Sequence, residues 1–150
     1  MNEFLNKKEK GFTFLEVILT IAVIAVLVGM SAPIFYSFQA KNELDTATNI
    51  VAHSLRRAQV LSQSVDGDIS WGMDIRSGSI TVFKGASYAA RDADYDEVFD
   101  VSTSITPSGV GEIVFSKFYG EPGITGTITL TANTGNTRSL SVNSKGMVDY

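Results

Sequence analysis

The stretch from Val17 to Ala32 is apolar at nearly every position. Continued to Phe38, it reaches the ~20 residues that a helix needs to cross a membrane. Such a run must be helical, because backbone N–H and C=O groups surrounded by apolar matter have to bond within their own segment. One residue breaks the pattern. Glu16 stands at the head of the run, and a lone carboxylate in lipid costs about 2.5–3.5 kcal/mol. The rest of the 150-residue chain is polar and rich in Gly, Thr and Ser, long enough for one further domain with its own core.

Three readings compete for residues 1–38. A secretory signal peptide has a basic start, an apolar centre and small residues at the cut, here Gly29 and Ser31. Its apolar centre is shorter than this one, and neither Glu16 nor Pro33 suits it. A plain anchor fits the length. Lys7, Lys8 and Lys10 then stay cytoplasmic and the C-terminal region lies outside. That reading leaves Glu16 and the Gly11-Phe12 junction without a purpose. The third reading keeps the anchor and adds a processing site at that junction.

The third reading rests on Lys10-Gly11-Phe12-Thr13-Phe14-Leu15-Glu16. This sequence resembles the leader junction of type IV prepilins and type II secretion pseudopilins. The shared pattern is a short basic leader ending in glycine, then phenylalanine, then glutamate at the fifth mature position, then an apolar helix. The resemblance implies that a prepilin peptidase/methyltransferase removes residues 1–11 by cutting after Gly11, and methylates the new amine of Phe12. It also implies that Glu16 meets the Phe12 amine of a neighbouring subunit during assembly. The partners so implied are that enzyme, other pilin or pseudopilin subunits, and an inner-membrane assembly platform.

Gly29 and Pro33 interrupt the apolar helix. Proline removes a backbone donor and costs about 3 kcal/mol inside a helix. A kink or a melted turn is expected there, not a stop, because helical periodicity resumes beyond it. Leu44, Ala47, Val51, Leu55, Ala58 and Leu61 or Ser62 recur at spacings of three and four. They form one apolar stripe to lay on a domain. Asn42, Glu43, Asp45, Asn49, Arg56, Arg57 and Gln59 mostly lie elsewhere around the helix. The lone histidine, His53, falls on that polar side and reads as a solvated residue. Asp66-Gly67-Asp68 supplies a turn to end the helix.

Beyond Asp68 the period changes to two. Residues 69–75 and 79–84 alternate about the turn Arg76-Ser77-Gly78 and predict a hairpin. Residues 97–101 and 113–118 predict two more strands. Residues 127–131 and 138–142 flank Asn133-Thr134-Gly135-Asn136, the clearest hairpin signal of all. Ile128, Leu130, Leu140 and Val142 can share its buried face. Ser144-Lys145-Gly146 makes a closing turn. The expected fold class is α+β: a pilin-like arrangement of a long N-terminal helix, membrane-spanning in its first half, on antiparallel strands in one sheet or two. The expected division is a leader over 1–11, a membrane and assembly half-helix over 12–38, and a globular part over 39–150. That part comprises an amphipathic helix over 39–65 and strands over 69–150.

Residues 54–63 (SLRRAQVLSQ), the Trp71-Gly72 strand, residues 85–92 (GASYAARD) and residues 139–148 (SLSVNSKGMV) are similar to the H-type minor pseudopilin and FimT-like group (GspH/FimT). The chain lacks the two-cysteine loop common in major pilins and the calcium-loop signature of a major pseudopilin, which favours a minor subunit. In some FimT-like pilins a basic Gly-Arg-x-Arg end is associated with DNA. Here that place reads Lys145-Gly146-Met147-Val148, so the resemblance does not carry that role over. The net charge of −4 gives no general attraction to nucleic acid either.

Few groups could do chemistry. Cysteine is absent, which excludes disulfides, thiolate metal sites and lipid acylation at cysteine. There is no second histidine, no P-loop and no Gly-x-Ser-x-Gly elbow. No catalytic residue and no cofactor is expected. Asp92, Asp94 and Asp96 have the alternate spacing of a calcium loop and are expected to crowd one loop with Glu97 and Asp100. A calcium loop needs glycine at its sixth position and glutamate at its twelfth. Those positions hold Glu97 and Thr103, so the metal candidate is weak. The reading is a structural subunit, with location first in the inner membrane and then in a pilus or pseudopilus. The alternative is a membrane-anchored binding or adhesion domain that never enters a filament.

Overall fold

The computed structural model describes residues 11–64 and 68–150, with the side chains of residues 30–34 left undescribed. The expected leader therefore lies, but for Gly11, outside the described residues, as do Asp66 and Gly67 of the expected turn. The chain divides into two compact units, with the boundary between Tyr36 and Ser37. One helix, α1 (Phe14–Gln63), contributes to both. It runs through residue 33 without a break, so the proline does not end it.

In the first unit, α1 is apolar on every side. Phe14, Leu15, Ile18, Leu19, Ile21, Val23, Ile24, Val26 and Leu27 are all exposed. A helix that is apolar all round requires cover from lipid or from other apolar helices. Among the described residues, no helix is long and apolar enough to cross a membrane. The described side chains of this run stop at Gly29, short of the ~20 residues a span needs.

In the second unit, the stripe predicted on α1 is buried as expected: Leu44, Ala47, Val51, Leu55 and Ala58 are covered. Of the final pair, Ser62 is fully buried and Leu61 only partly so. Eight strands follow: β1 (Trp71–Arg76), β2 (Ser79–Lys84), β3 (Asp92–Asp100), β4 (Ile105–Gly109), β5 (Glu112–Phe115), β6 (Gly126–Ala132), β7 (Thr137–Val142) and β8 (Val148–Asp149). They form two four-stranded antiparallel sheets, in the orders β3-β2-β1-β5 and β4-β6-β7-β8. This resolves the choice between one sheet and two. Both sheets supply the core that covers the helix stripe, with Met73, Ile80, Val82, Ile113 and Phe115 from the first and Ile105, Ile128, Leu130, Leu140 and Val142 from the second. The α+β class expected from the sequence is the class observed.

The β6–β7 hairpin forms as predicted, with Ile128 opposite Leu140 and Gly135 at a positive φ of 85° in the turn. The β1–β2 hairpin also forms, with Met73 opposite Val82. On the far face of the first sheet, Gly72 lets the Phe83 ring lie across the strand. A Cβ there would stand 2.6 Å from Phe83 Cζ and 2.9 Å from the Ile113 carbonyl oxygen. The strand predicted over residues 97–101 forms but begins earlier, and the main correction concerns residues 92–96. Asp92, Asp94 and Asp96, expected in a loop with Glu97 and Asp100, lie on the nine-residue edge strand β3. A second correction is β4, which alternation did not reveal. A third is β5, which ends at Phe115; residues 116–120 turn instead, with the Gly120 N–H donating to the Ser116 carbonyl at 2.9 Å.

Candidate functional site

The segment with the most unusual chemistry is the start of α1. Residues 11–13 precede the helix and are exposed. A Cβ on Gly11 would meet nothing within 4 Å. Phe12 is 83% exposed. Thr13 has the hydrogen bonds of an N-cap: its Oγ1 accepts from the Glu16 N–H at 3.2 Å and its carbonyl from the Val17 N–H at 3.2 Å. Glu16 therefore occupies the third position of the first turn, where a carboxylate also meets the positive end of the helix dipole. The structure thus places three sequence-identified residues, Gly11, Phe12 and Glu16, within one short, open segment. Gly29, also exposed, lies further along the helix. The cap itself was missed in the sequence, although Thr13-x-x-Glu16 is the threonine–glutamate spacing of a capping box.

The other sequence candidates do not converge. His53 is exposed on the polar side of α1. On β3, alternate residues point to the same side but are spread along an extended strand. Asp96 pairs with Arg91 at 2.7 Å, and Glu97 pairs with both nitrogens offered by Arg57 on α1. The hydrogen bonds that Arg91 and Arg57 donate to these carboxylates hold both guanidinium groups more firmly charged than usual. Among the described residues, no group of three or more His, Cys, Asp or Glu side chains is placed to hold a metal ion. At the expected C-terminal turn, Lys145 Nζ donates to Glu121 at 2.7 Å, and that bond raises its pKa. A shallow groove of about 360 Å³ lies between Ala86, Glu112, Val114, Gly123 and Ile124. Its one carboxylate, Glu112, accepts from the Tyr88 N–H at 2.9 Å.

Against known protein families, the prokaryotic N-terminal methylation motif matches residues 6–32. The match covers about a fifth of the chain and contains Gly11, Phe12, Thr13, Glu16 and Gly29. It supports membership of the type IV pilin and pseudopilin family. No solved structure matches the chain at a significant level.

Proposed function

We propose that this chain is a structural minor pilin or pseudopilin subunit, cut after Gly11, methylated on Phe12 and assembled through the first half of α1. The observation that carries this reading is the coincidence of the methylation motif with an apolar, exposed helix that needs cover. Before assembly, lipid provides that cover, with residues 12–38 spanning the inner membrane. The lysines before Phe12 keep the N-terminus cytoplasmic, and the β-rich unit lies outside. After assembly, the same surface is covered by the helices of other subunits in a type IV pilus or a type II secretion pseudopilus. The similarities over residues 54–63, 85–92 and 139–148 favour the H-type and FimT-like group and a position at or near the tip.

Intact-mass analysis of the protein from cells with an active prepilin peptidase tests the reading. The expected product lacks residues 1–11 and carries one methyl group on Phe12. A chain that keeps Met1 in such cells would instead be a membrane-anchored binding or adhesion domain.

A further inference from the structure

We infer that Thr13 is a positioning residue for leader removal: its cap ends α1 at Phe14 and so keeps the Gly11-Phe12 bond out of the helix. This rests on the processing site proposed above and adds to it the means by which the bond stays accessible. The Thr13 hydroxyl binds the Glu16 N–H, and the Thr13 carbonyl takes the first helical bond from Val17. Residues 11 and 12 consequently lie outside the helical ladder, with Gly11 open on the side where a Cβ would stand and Phe12 exposed.

The physical reason is an accounting of backbone groups. The first N–H groups of a helix have no partner within it and must be capped, solvated or absorbed by extending the helix. At a membrane surface, the apolar side offers no water to an uncapped end, so extension is favoured over fraying. Extension by one turn would bond the Leu15 N–H to the Gly11 carbonyl, which is the carbonyl of the scissile bond. A peptidase must reach that carbonyl and align extended chain on both sides of it. Asn and Ser cap at least as well as Thr, whereas Ala caps poorly and favours the helix interior.

The test compares the full-length wild type with Thr13→Ala, Thr13→Ser and Thr13→Asn in liposomes containing a prepilin peptidase, following loss of residues 1–11 by mass. Hydrogen exchange at the Leu15 amide is measured on the same chains in micelles without peptidase. The expected result is that Thr13→Ala is cut roughly fivefold more slowly, the size of a lost cap. It also exchanges more slowly at Leu15, while the Ser and Asn variants match the wild type in both. Equal cleavage of Thr13→Ala overturns the inference. So does slow cleavage with unchanged Leu15 exchange, or rescue by Ser and not Asn, because the peptidase would then be reading the side chain itself. A wild type that is not cut overturns the processing reading, and this inference with it.

Discussion

Ser62 lies in the apolar stripe of α1, yet its hydroxyl is fully buried and bonded on two sides. It accepts from the Trp71 N–H at 2.8 Å and lies 3.1 Å from the Phe115 carbonyl oxygen and 3.3 Å from that of Trp71. One short side chain thus ties the end of α1 to β1 and β5. Losing a buried hydrogen-bonding partner costs about 1–3 kcal/mol. Ser62→Ala is therefore expected to lower the urea midpoint of the detergent-solubilised full chain, on the order of 1 M, with an unchanged slope. An unchanged midpoint would count against this role. The stripe's spacing placed position 62 against the domain but could not show that a hydroxyl was required, because the groups it binds lie on strands remote in sequence. Thr13 was more legible. Its capping partner is three residues away, so the information is local, but the resemblance drew attention to Gly11, Phe12 and Glu16 and passed over the residue between them.

The same contrast between local and distant information holds for whole elements. Both tight hairpins were readable because alternation and turn residues sit side by side in the chain. Strand β4 was not: Ile105-Thr106-Pro107-Ser108-Gly109 carries proline and glycine, which disfavour a strand interior. It is an edge strand held by its register on β6. The first half of strand β3, residues 92–96, reads as a loop because aspartate is disfavoured in strands. Its edge position leaves most of its charges in solvent, and Arg57 and Arg91 hold two of them. The charged row also discourages edge-to-edge pairing with another sheet.

The connection between β3 and β4 returns to α1 through Glu43, whose Oε2 accepts from the Ser104 hydroxyl at 3.2 Å. Glu43 is held below its ordinary pKa of 4.5, first by a hydrogen bond from Ser102 and next by one from Gln39. Burial opposes them and Ser104 adds least. The unfolded chain takes up this proton at a higher pH than the folded one. The stabilisation is therefore complete above 4.5 and is lost as pH falls through the lower folded value. Thermal melts of wild type and Glu43→Gln, from about pH 6 to about pH 3, should show the wild-type advantage shrinking on acidification. A pH-independent difference would mean that Glu43 acts through shape or neutral hydrogen bonding alone.

At the scale of the whole molecule, the two units make opposite demands. The Ser37–Tyr150 unit covers its apolar stripe with its own sheets, whereas the helix of the other unit leaves its apolar side chains exposed. Apolar cohesion cannot by itself align such helices, because lipid tails are as apolar as leucine and every register buries a similar surface. A register needs a group that is costly in all positions but one. On the proposed reading, Glu16 is that group. In lipid without a partner it is expensive, and a buried pair broken from one side typically costs about 3–5 kcal/mol. Even ~3 kcal/mol changes an association constant by more than a hundredfold. If the processed Phe12 amine of a neighbouring subunit is the partner, removing the carboxylate should spare every step that one chain performs alone. Glu16→Ala is therefore expected to insert and to be cut after Gly11 like the wild type, and to be missing from sheared filaments or purified pseudopili. Incorporation at the wild-type level would remove Glu16 from the register and leave helix packing alone to set it.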